Sequence, residues 1–349
     1  MIEVPFISVI VTCRNEEKFI SRCLDSIIAN DYPKAKREIL VVDGMSTDTS
    51  REIVNAYAVH DPNIRLIDNV KRVFPSAVNR GIEQAKGEFV VIMGAHATYA
   101  QDYLSMCIQF QAEFQADNVG GTSIPEVQDG SGLGKAIALS RSHPFGAGNA
   151  TYRTGSRKPK WVDTVFGGCY SKKTFERIGL FDESLVRSSD MDFNVRLKRA
   201  GGRILMVPDI VTHYYPGSGV GHLWGHNFID GVWATYPLAF GSTMFRIRHL
   251  VPLMFISGLL VSGLLALVLP IFFWVLVAIV SAYLLANLVS AGHIALTKGV
   301  GTYLMLLPLV FFVRHAAYGL GSLVGLGKVL ASRQWLGRPH QDKDGGGSS

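Results

Sequence analysis

The chain has 349 residues, 34 Lys and Arg against 28 Asp and Glu, four Cys and 48% hydrophobic residues. That length suggests roughly two domains of about 150 residues each, and the apolar fraction excludes both a disordered chain and a small disulfide scaffold. All but two of the acidic residues lie at or before Asp230, and none falls between Asp230 and Asp342. A polar half followed by an acid-free half reads as a soluble domain with a membrane-bound tail. Cys13, Cys23, Cys107 and Cys169 lack zinc spacing and are expected as buried thiols in a reducing compartment. The first residues carry no basic n-region or cleavable apolar stretch, so no signal peptide is expected. The net charge of +6 is modest, and the basic residues near the tail suit an anionic membrane face better than nucleic acid.

Strand-like and helix-like patterns alternate from the start. Residues 6–12 form a β-branched run, and residues 16–29 carry Phe19, Ile20, Cys23, Leu24 and Ile27 on one helical stripe. A strand over 38–43 leads to a helix over 47–58, with Ser46 and Thr47 as cap candidates. A third strand over 64–67, a helix over 75–85 and a fourth strand over 88–93 follow. Such alternation predicts an α/β fold with a parallel sheet, helices on both faces, and a ligand beyond the carboxyl ends of the strands. The polar residues there are Thr12, Arg14, Asn15 and Glu16 after the first strand, Asp43 to Asp48 after the second, and Gly94, Ala95 and His96 after the fourth. There is no GxGxxG and no Walker A lysine loop, which argues against a dinucleotide oxidoreductase or a P-loop NTPase. Asp43 can accept hydrogen bonds from a base or ribose; Asp43, Ser46 and Asp48 also fit a plain turn and helix cap.

Further on, 162–170 reads as a strand with close backbone approach at Gly167 and Gly168. Asp190 then opens a helix and Asp192 sits in its first turn, where a capping role competes with chemistry. The apolar runs 251–269 and 271–291, separated by Pro270, each approach the ~20 residues that span a ~30 Å hydrocarbon core. Arg246, Arg248 and His249 before the first run and Lys298 after the second place both flanks on the cytoplasmic side. The run 303–326 carries Arg314 and His315 near its middle, a cost of about 2.5–3.5 kcal/mol for the arginine on insertion scales. It is expected to be re-entrant or interfacial, with a third span as the alternative. Expected boundaries are 1–235 for the soluble domain, 236–250 for an amphipathic interface segment, 251–327 for the membrane region and 328–349 for a basic, disordered tail.

Residues 8–16 (SVIVTCRNE), 42–48 (VDGMSTD) and 77–87 (AVNRGIEQAKG) together resemble family 2 glycosyltransferases with a GT-A nucleotide-binding domain, nearest to succinoglycan-type exopolysaccharide enzymes. The resemblance covers about residues 6–235 and implies a mixed, mainly parallel Rossmann-like sheet. It implies that Glu16 and Asp43 hold the nucleoside of a sugar nucleotide, in a site that includes Thr12, Arg14, Ser46, Asn79 and Ala95. It further implies that Asp190 is the base that deprotonates the acceptor hydroxyl, although Ser189 replaces the Glu that usually precedes it.

The family's metal-binding Asp-x-Asp or Asp-Ala-His corresponds here to Gly94-Ala95-His96, which lacks the first acid. His96 and His213 remain candidate ligands for Mn²⁺ or Mg²⁺, imidazole suiting Mn²⁺ better; each also fits an ordinary loop histidine. A segment ending at Trp233, with His226 where Gln is usual, is expected on the acceptor and diphosphate side with Asp192, Arg314 and His315. An interface helix is the competing explanation for that segment. The expected activity is an inverting, membrane-anchored transfer from a nucleotide-sugar, a UDP-sugar in this reading, to a lipid-linked glycan acceptor at the cytoplasmic face of the inner membrane. Transfer to polyprenyl phosphate is the nearest alternative, and a nucleotide-binding scaffold that lost its chemistry, motivated by Gly94 and Ser189, the alternative of another class.

Overall fold

A computed structural model describes residues 4–127, 130–148, 150–236, 238 and 247–331. The expected alternation is realised over the first hundred residues: β1 (Ile7–Cys13), α1 (Ile20–Ile28), β2 (Arg37–Asp43), α2 (Ser50–His60), β3 (Ile64–Asp68), α3 (Phe74–Gln84) and β4 (Phe89–Gly94). These four strands are mutually parallel in the order β3-β2-β1-β4. β1 and β2 are apolar on both faces because helices cover both. One face packs on α1, with Ile20, Cys23, Leu24 and Ile27 against Val9, Val11 and Val41. The other packs on α3, with Ala77, Val78 and Ile82 against Ile10, Leu40 and Val42.

Beyond β4 the sheet ceases to be parallel. The remaining elements are β5 (Ala97–Tyr99), α4 (Tyr103–Phe114), β6 (Asn118–Pro125), α5 (Gly132–Ser142), α6 (Pro144–Ala147), α7 (Thr151–Thr154), β7 (Lys160–Trp161), β8 (Phe166–Ser171), α8 (Lys172–Ile178), α9 (Ser189–Arg199) and β9 (Ile204–Tyr214). β8 lies antiparallel between β4 and β6, β9 runs parallel to β6, and β5 and β7 pair antiparallel with β9. The reason lies in the path of the chain. β6 ends at the carboxyl edge, α5 to α7 follow, and β8 enters the sheet from that edge instead of being delivered to the opposite one by a crossover helix. Gly167, at the start of β8, has φ 62 and a Cβ there would lie 2.5 Å from the Tyr103 hydroxyl, so the close approach read from the sequence is real. The expected strand over 162–170 is shorter, beginning at Phe166.

By contacts the chain divides into two compact units, one of 1–223 with 282–313 and one of 224–281 with 314–349. The first holds the sheet and a third apolar cluster, in which Ala136 and Ile137 of α5 meet Ala291 and Ile294 of α12 (Ile271–Lys298) and Leu307, Val310 and Phe311 of α13 (Tyr303–Ala331). In the second, α10 (Val220–Thr235) meets α13 backbone to backbone: a Cβ at Gly231 would lie 2.1 Å from the Tyr318 carbonyl oxygen. α11 (Ile247–Ala266) completes the apolar set. Among the described residues three helices are long and apolar enough to cross a membrane: His249–Ala266, Ile271–Lys298 and Tyr303–Ala331. The 303–326 run, expected as re-entrant or interfacial, belongs to an uninterrupted helix of 29 residues, about 43 Å at 1.5 Å per residue, so no re-entrant turn occurs within it. Most of the expected interface segment, 237 and 239–246, and the expected tail from 332 onward lie outside the described residues.

Candidate active site

The loops after β1 and β2 are knitted together by side chains bonded to backbone. Asn15 N–H donates to Ser46 Oγ at 2.8 Å, Thr47 N–H to Asn15 Oδ1 at 2.8 Å, Glu16 N–H to Ser50 Oγ at 2.8 Å and Glu17 N–H to Asp48 Oδ2 at 3.1 Å. Asn15 (φ 54), Met45 (φ 58) and Arg72 (φ 58) are non-glycine residues in the left-handed region at these strand ends. Such strain costs on the order of 1–3 kcal/mol each and gathers at functional sites. Ser46 and Thr47 do not cap α2, contrary to expectation. The helix begins at Ser50 behind Thr49, and Ser46 is occupied with Asn15 and Asp43.

Asp43 is 1% exposed. Its carboxylate accepts from the Ser46 hydroxyl, from Ser46 N–H at 2.9 Å and from Arg51 Nη1 at 2.7 Å, and Arg51 reaches Asp68 at 2.7 Å with its other nitrogen. Those two acids, Asp68 foremost, raise the Arg51 pKa. Burial, and then the Asp43 charge, push the Cys13 thiol up to about 12. All four cysteines are free and buried, as expected. Burial alone would raise Asp48, yet hydrogen bonds from Ser50 and Glu17 together hold its carboxyl below the usual range.

Across β1, Glu16 Oε1 and His96 Nδ1 stand 2.9 Å apart. Ala95 is fully buried with its N–H on the Thr12 carbonyl at 3.2 Å, and the Thr12 hydroxyl donates to the Met93 carbonyl at 3.4 Å. Arg14 donates to the Arg72 carbonyl at 3.3 Å. Nothing lies within 4 Å of a Cβ built at Gly94, so the missing acid is not imposed by crowding. His213 does not join His96: it pairs with Glu126 at 2.8 Å, while its neighbour Tyr214 packs edge-on to His96 at 5.1 Å between ring centres. Successive residues of β9 face opposite sides of the sheet, which separates the two histidines. Among the described residues no group of three His, Cys, Asp or Glu could hold a metal.

Asp190 is an exposed residue in the first turn of α9, behind Ser188 (φ 62), which caps without a side-chain bond; Ser189 is buried. Asp190 is therefore not the cap. α9 joins β9 through only four residues, so it runs back along the sheet and its first turn faces the carboxyl edge, where β1, β2 and β4 end. Phe193 and Leu197 anchor it, Phe193 stacking on Phe181 at 4.4 Å. Burial pushes up the Tyr170 phenol beneath, and the Asp190 charge adds to the rise. Asn79 lies under the preceding loop: Phe181 N–H donates to its Oδ1 at 2.9 Å, and its Nδ2 donates to the Phe181 carbonyl at 2.9 Å and to Glu183 at 3.1 Å. Asp192 accepts from Arg196 Nε at 2.8 Å, while that guanidinium also donates to the Ile178 and Leu180 carbonyls at 2.7 and 2.8 Å. Asn79 and Asp192 thus hold the loop and helix that carry Asp190.

Of the residues expected on the acceptor side, His226, Trp233, Arg314 and His315 belong to the second unit. His226 pairs with Asp230 one turn along α10 at 2.9 Å, Trp233 packs edge-on to Tyr236 at 5.7 Å, and Arg314 is buried. A cavity of about 210 Å³ lies at the carboxyl edge of the first unit, bounded by His96, Ser123, Pro125 and Tyr214, and by Arg141, Tyr152, Arg153 and Phe166. Apart from His96, none of these residues stood out in the sequence. The available signal was the run SRSHPFGAGNATYRTGSR at 140–157, rich in Arg, Gly and aromatic residues and set between strands.

The model of the family described as "Glycosyl transferase family 2" matches residues 8–177. A protein of Methanococcus voltae, named "Dolichyl N-acetyl-alpha-D-glucosaminyl phosphate 3-beta-D-2,3-diacetamido-2,3-dideoxy-beta-D-glucuronosyltransferase", is 30% identical over 332 residues, covering 92% of this chain and 97% of its own. The chain belongs to glycosyl transferase family 2. It is a glycosyltransferase, with relatives in exopolysaccharide synthesis: the succinoglycan biosynthesis protein ExoA of Rhizobium meliloti (strain 1021) is 29% identical over 60% of this chain and 62% of its own length. In fold it is similar to the mannosyltransferase PcManGT of Pyrobaculum calidifontis, solved with GDP-Man and Mn²⁺, at a TM-score of 0.59 and 19% identity over 94% of this chain and 88% of that one. The soluble part is a GT-A domain with a mixed Rossmann-like sheet, followed by three apolar helices that could span a membrane.

Proposed function

We propose that this glycosyltransferase is inverting and membrane-anchored, moving a sugar from a nucleotide-sugar, most simply a UDP-sugar, to a hydroxyl of a lipid-linked saccharide. The observation that carries this reading is the exposed Asp190 carboxylate in the first turn of α9, at the sheet edge that also bears Glu16, Asp43 and His96. In the proposed reaction the acceptor oxygen bonds to C1 of the sugar as the C1–O bond to the diphosphate breaks. The hydroxyl proton passes to Asp190 and the nucleoside diphosphate leaves. A single displacement inverts the anomeric centre.

Glu16 and the Asp43 loop are proposed as the nucleoside end, with Thr12, Arg14, Ser46 and Ala95 around it. A divalent ion suits the arrangement only if donor phosphates and water complete its shell, since the protein supplies one carboxylate and one imidazole, Glu16 and His96. Held there, it would neutralise charge on the departing diphosphate. The acceptor assignment is supported by the three apolar helices and by the Methanococcus relative, whose name gives a dolichyl-linked acceptor. The cationic flanks Arg248 and Lys298 support an inner-membrane location with the GT-A domain in the cytoplasm. His226, Trp233, Arg314 and His315 are proposed on the acceptor side, and functional boundaries near 235, 250 and 327.

Asp190→Asn is the direct test, assayed with nucleotide-sugar and lipid-linked acceptor. Loss of a positioned base lowers turnover roughly 10²–10⁴-fold, with nucleotide-sugar affinity kept. Full turnover in the variant removes Asp190 from the chemistry. Product analysis distinguishes a lengthened glycan from a glycosyl phosphate.

A further inference from the structure

Four rings form an unbroken chain of contacts around the cavity at the carboxyl edge. Tyr152 stacks on Phe166 at 6.4 Å between ring centres, Phe166 meets Tyr214 edge-on at 5.8 Å, and Tyr214 meets His96 edge-on at 5.1 Å. All four line the same space. Both ends of the chain are pinned: Arg153 Nε donates to the Tyr152 hydroxyl at 3.0 Å, and the His96 imidazole pairs with Glu16 at 2.9 Å. In the middle, the Tyr103 hydroxyl donates to the Gly167 carbonyl beside Phe166. Rings fixed in this way lose little freedom when a ligand packs on them.

A polar group on the same wall comes from Ser123. Ser123 and Pro125 stand two apart on β6, so they face the same side of the sheet, and both line the cavity. Ser123 is 6% exposed, and its hydroxyl makes no hydrogen bond among the described residues. A buried hydroxyl without a partner is costly, and a ligand hydroxyl in the cavity offsets that cost.

A pyranose ring meets both requirements. Its C–H bonds carry partial positive charge and pack on the negative face of an aromatic ring, while the hydroxyls at its rim exchange hydrogen bonds with a serine. The cavity volume of about 210 Å³ falls below the roughly 300–1,000 Å³ that encloses a drug-sized ligand. It suits one sugar ring and not a whole nucleotide-sugar. We infer that this cavity is a subsite for a single pyranose ring, with Tyr152, Phe166 and Tyr214 as its platform and Ser123 as a hydroxyl partner that helps to select the sugar. The inference rests on the transferase reading above, in which both donor and acceptor carry such a ring.

The test uses the full chain in micelles of a detergent without a sugar headgroup. Saturation-transfer NMR follows the methyl glycosides of glucose, galactose, mannose, N-acetylglucosamine and glucuronic acid. Calorimetry follows UDP, UDP-glucose and UDP-N-acetylglucosamine. For an acceptor ring, at least one glycoside signal falls roughly fivefold in Tyr152→Ala and in Ser123→Ala and survives in Tyr152→Phe, which keeps the ring. UDP-sugar affinities then hold, and Ser123→Ala keeps its melting temperature because no protein bond is lost. For a donor ring, a UDP-sugar weakens roughly fivefold in both alanine variants while UDP itself holds. Either pattern upholds the subsite and names its source. Weakening of UDP itself, with glycoside signals unchanged, seats the nucleobase there and overturns the inference. Unchanged glycoside signals and UDP-sugar affinities in both alanine variants, with melting retained, overturn it as well. So does a wild type that gives no glycoside signal and binds UDP-sugars no better than UDP. Asp190→Asn separates the two readings: sugar binding kept together with full turnover sinks the base assignment and leaves the subsite standing.

Discussion

The two ends of the sheet's carboxyl edge are built on opposite plans. Beside β1, β2 and β3, acids dominate and their bonds are satisfied within the protein: Asp43 is held by Ser46 and Arg51, Asp68 by Arg51, and Asp48 by Ser50 and Glu17. Beside β6, β8 and β9, two guanidiniums and an imidazole face a cavity with no carboxylate among its described walls. A network closed on itself stays rigid without a ligand. One edge thus carries an acidic rim held by its own hydrogen bonds and a hollow lined by arginine and aromatic side chains, with the Glu16–His96 pair at their junction.

The comparison can be broken at the acidic end first, where the largest effect is expected. Asp43→Ala leaves the Arg51 and Ser46 donors without their acceptor. Removing one partner of a buried ion pair costs about 3–5 kcal/mol, and Arg51 being partly exposed puts the cost near the lower bound. Both the melting temperature and UDP affinity should fall together. Melting unchanged would mean that the network is not what holds the two loops.

Asn79→Ala comes next. It strips bonds from Phe181 and Glu183 in a buried setting, a loss of about 1–3 kcal/mol. The loop leading to α9 should loosen, so kcat falls while nucleotide affinity is kept. A change in nucleotide affinity alone would instead return Asn79 to the donor site.

The Asp48 carboxyl has a smaller, pH-dependent signature. Its folded pKa lies below the ordinary carboxylate value of about 3.9. Its contribution is therefore complete above that value and is lost as pH falls through the depressed one. Melting temperature against pH should show a shallower acid limb in Asp48→Asn than in the wild type, with the two curves parallel from pH 5 to 8.

Gly94→Asp should be the mildest for stability, within about 0.5 kcal/mol, because a side chain there meets open space. It sharpens the comparison by adding an acid at the junction. Titration of UDP with and without Mn²⁺ should show a larger metal effect in the variant than in the wild type. No difference between the two would argue that position 94 is remote from the donor phosphates.

The acidic end was legible in the chain because it is local. Asp43 and Ser46 are three residues apart, and short side-chain-to-backbone bonds belong to such spacings. Arg51, which bridges Asp43 and Asp68 on neighbouring strands, gave no signal, because its two partners meet only through strand pairing. His213, a candidate ligand beside His96, pairs with Glu126, and the sequence did not tell which face of β9 its side chain takes. The basic end was almost invisible. Arg141, Tyr152 and Arg153 come from short helices between two strands, and only the return of β8 from the carboxyl edge brings them over His96.

By itself the amino-acid order determined the alternating strands and helices of the first hundred residues, the family resemblance and the acid-free apolar half. These are properties of periodicity, composition and short spacing. Tertiary structure alone decided that the second half of the sheet is mixed, that the two histidines part company, and that Asn79 and Asp192 brace the helix carrying Asp190. It also decided that two distant arginines share a cavity, since register, strand direction and the face of a helix depend on long-range packing that no local pattern encodes.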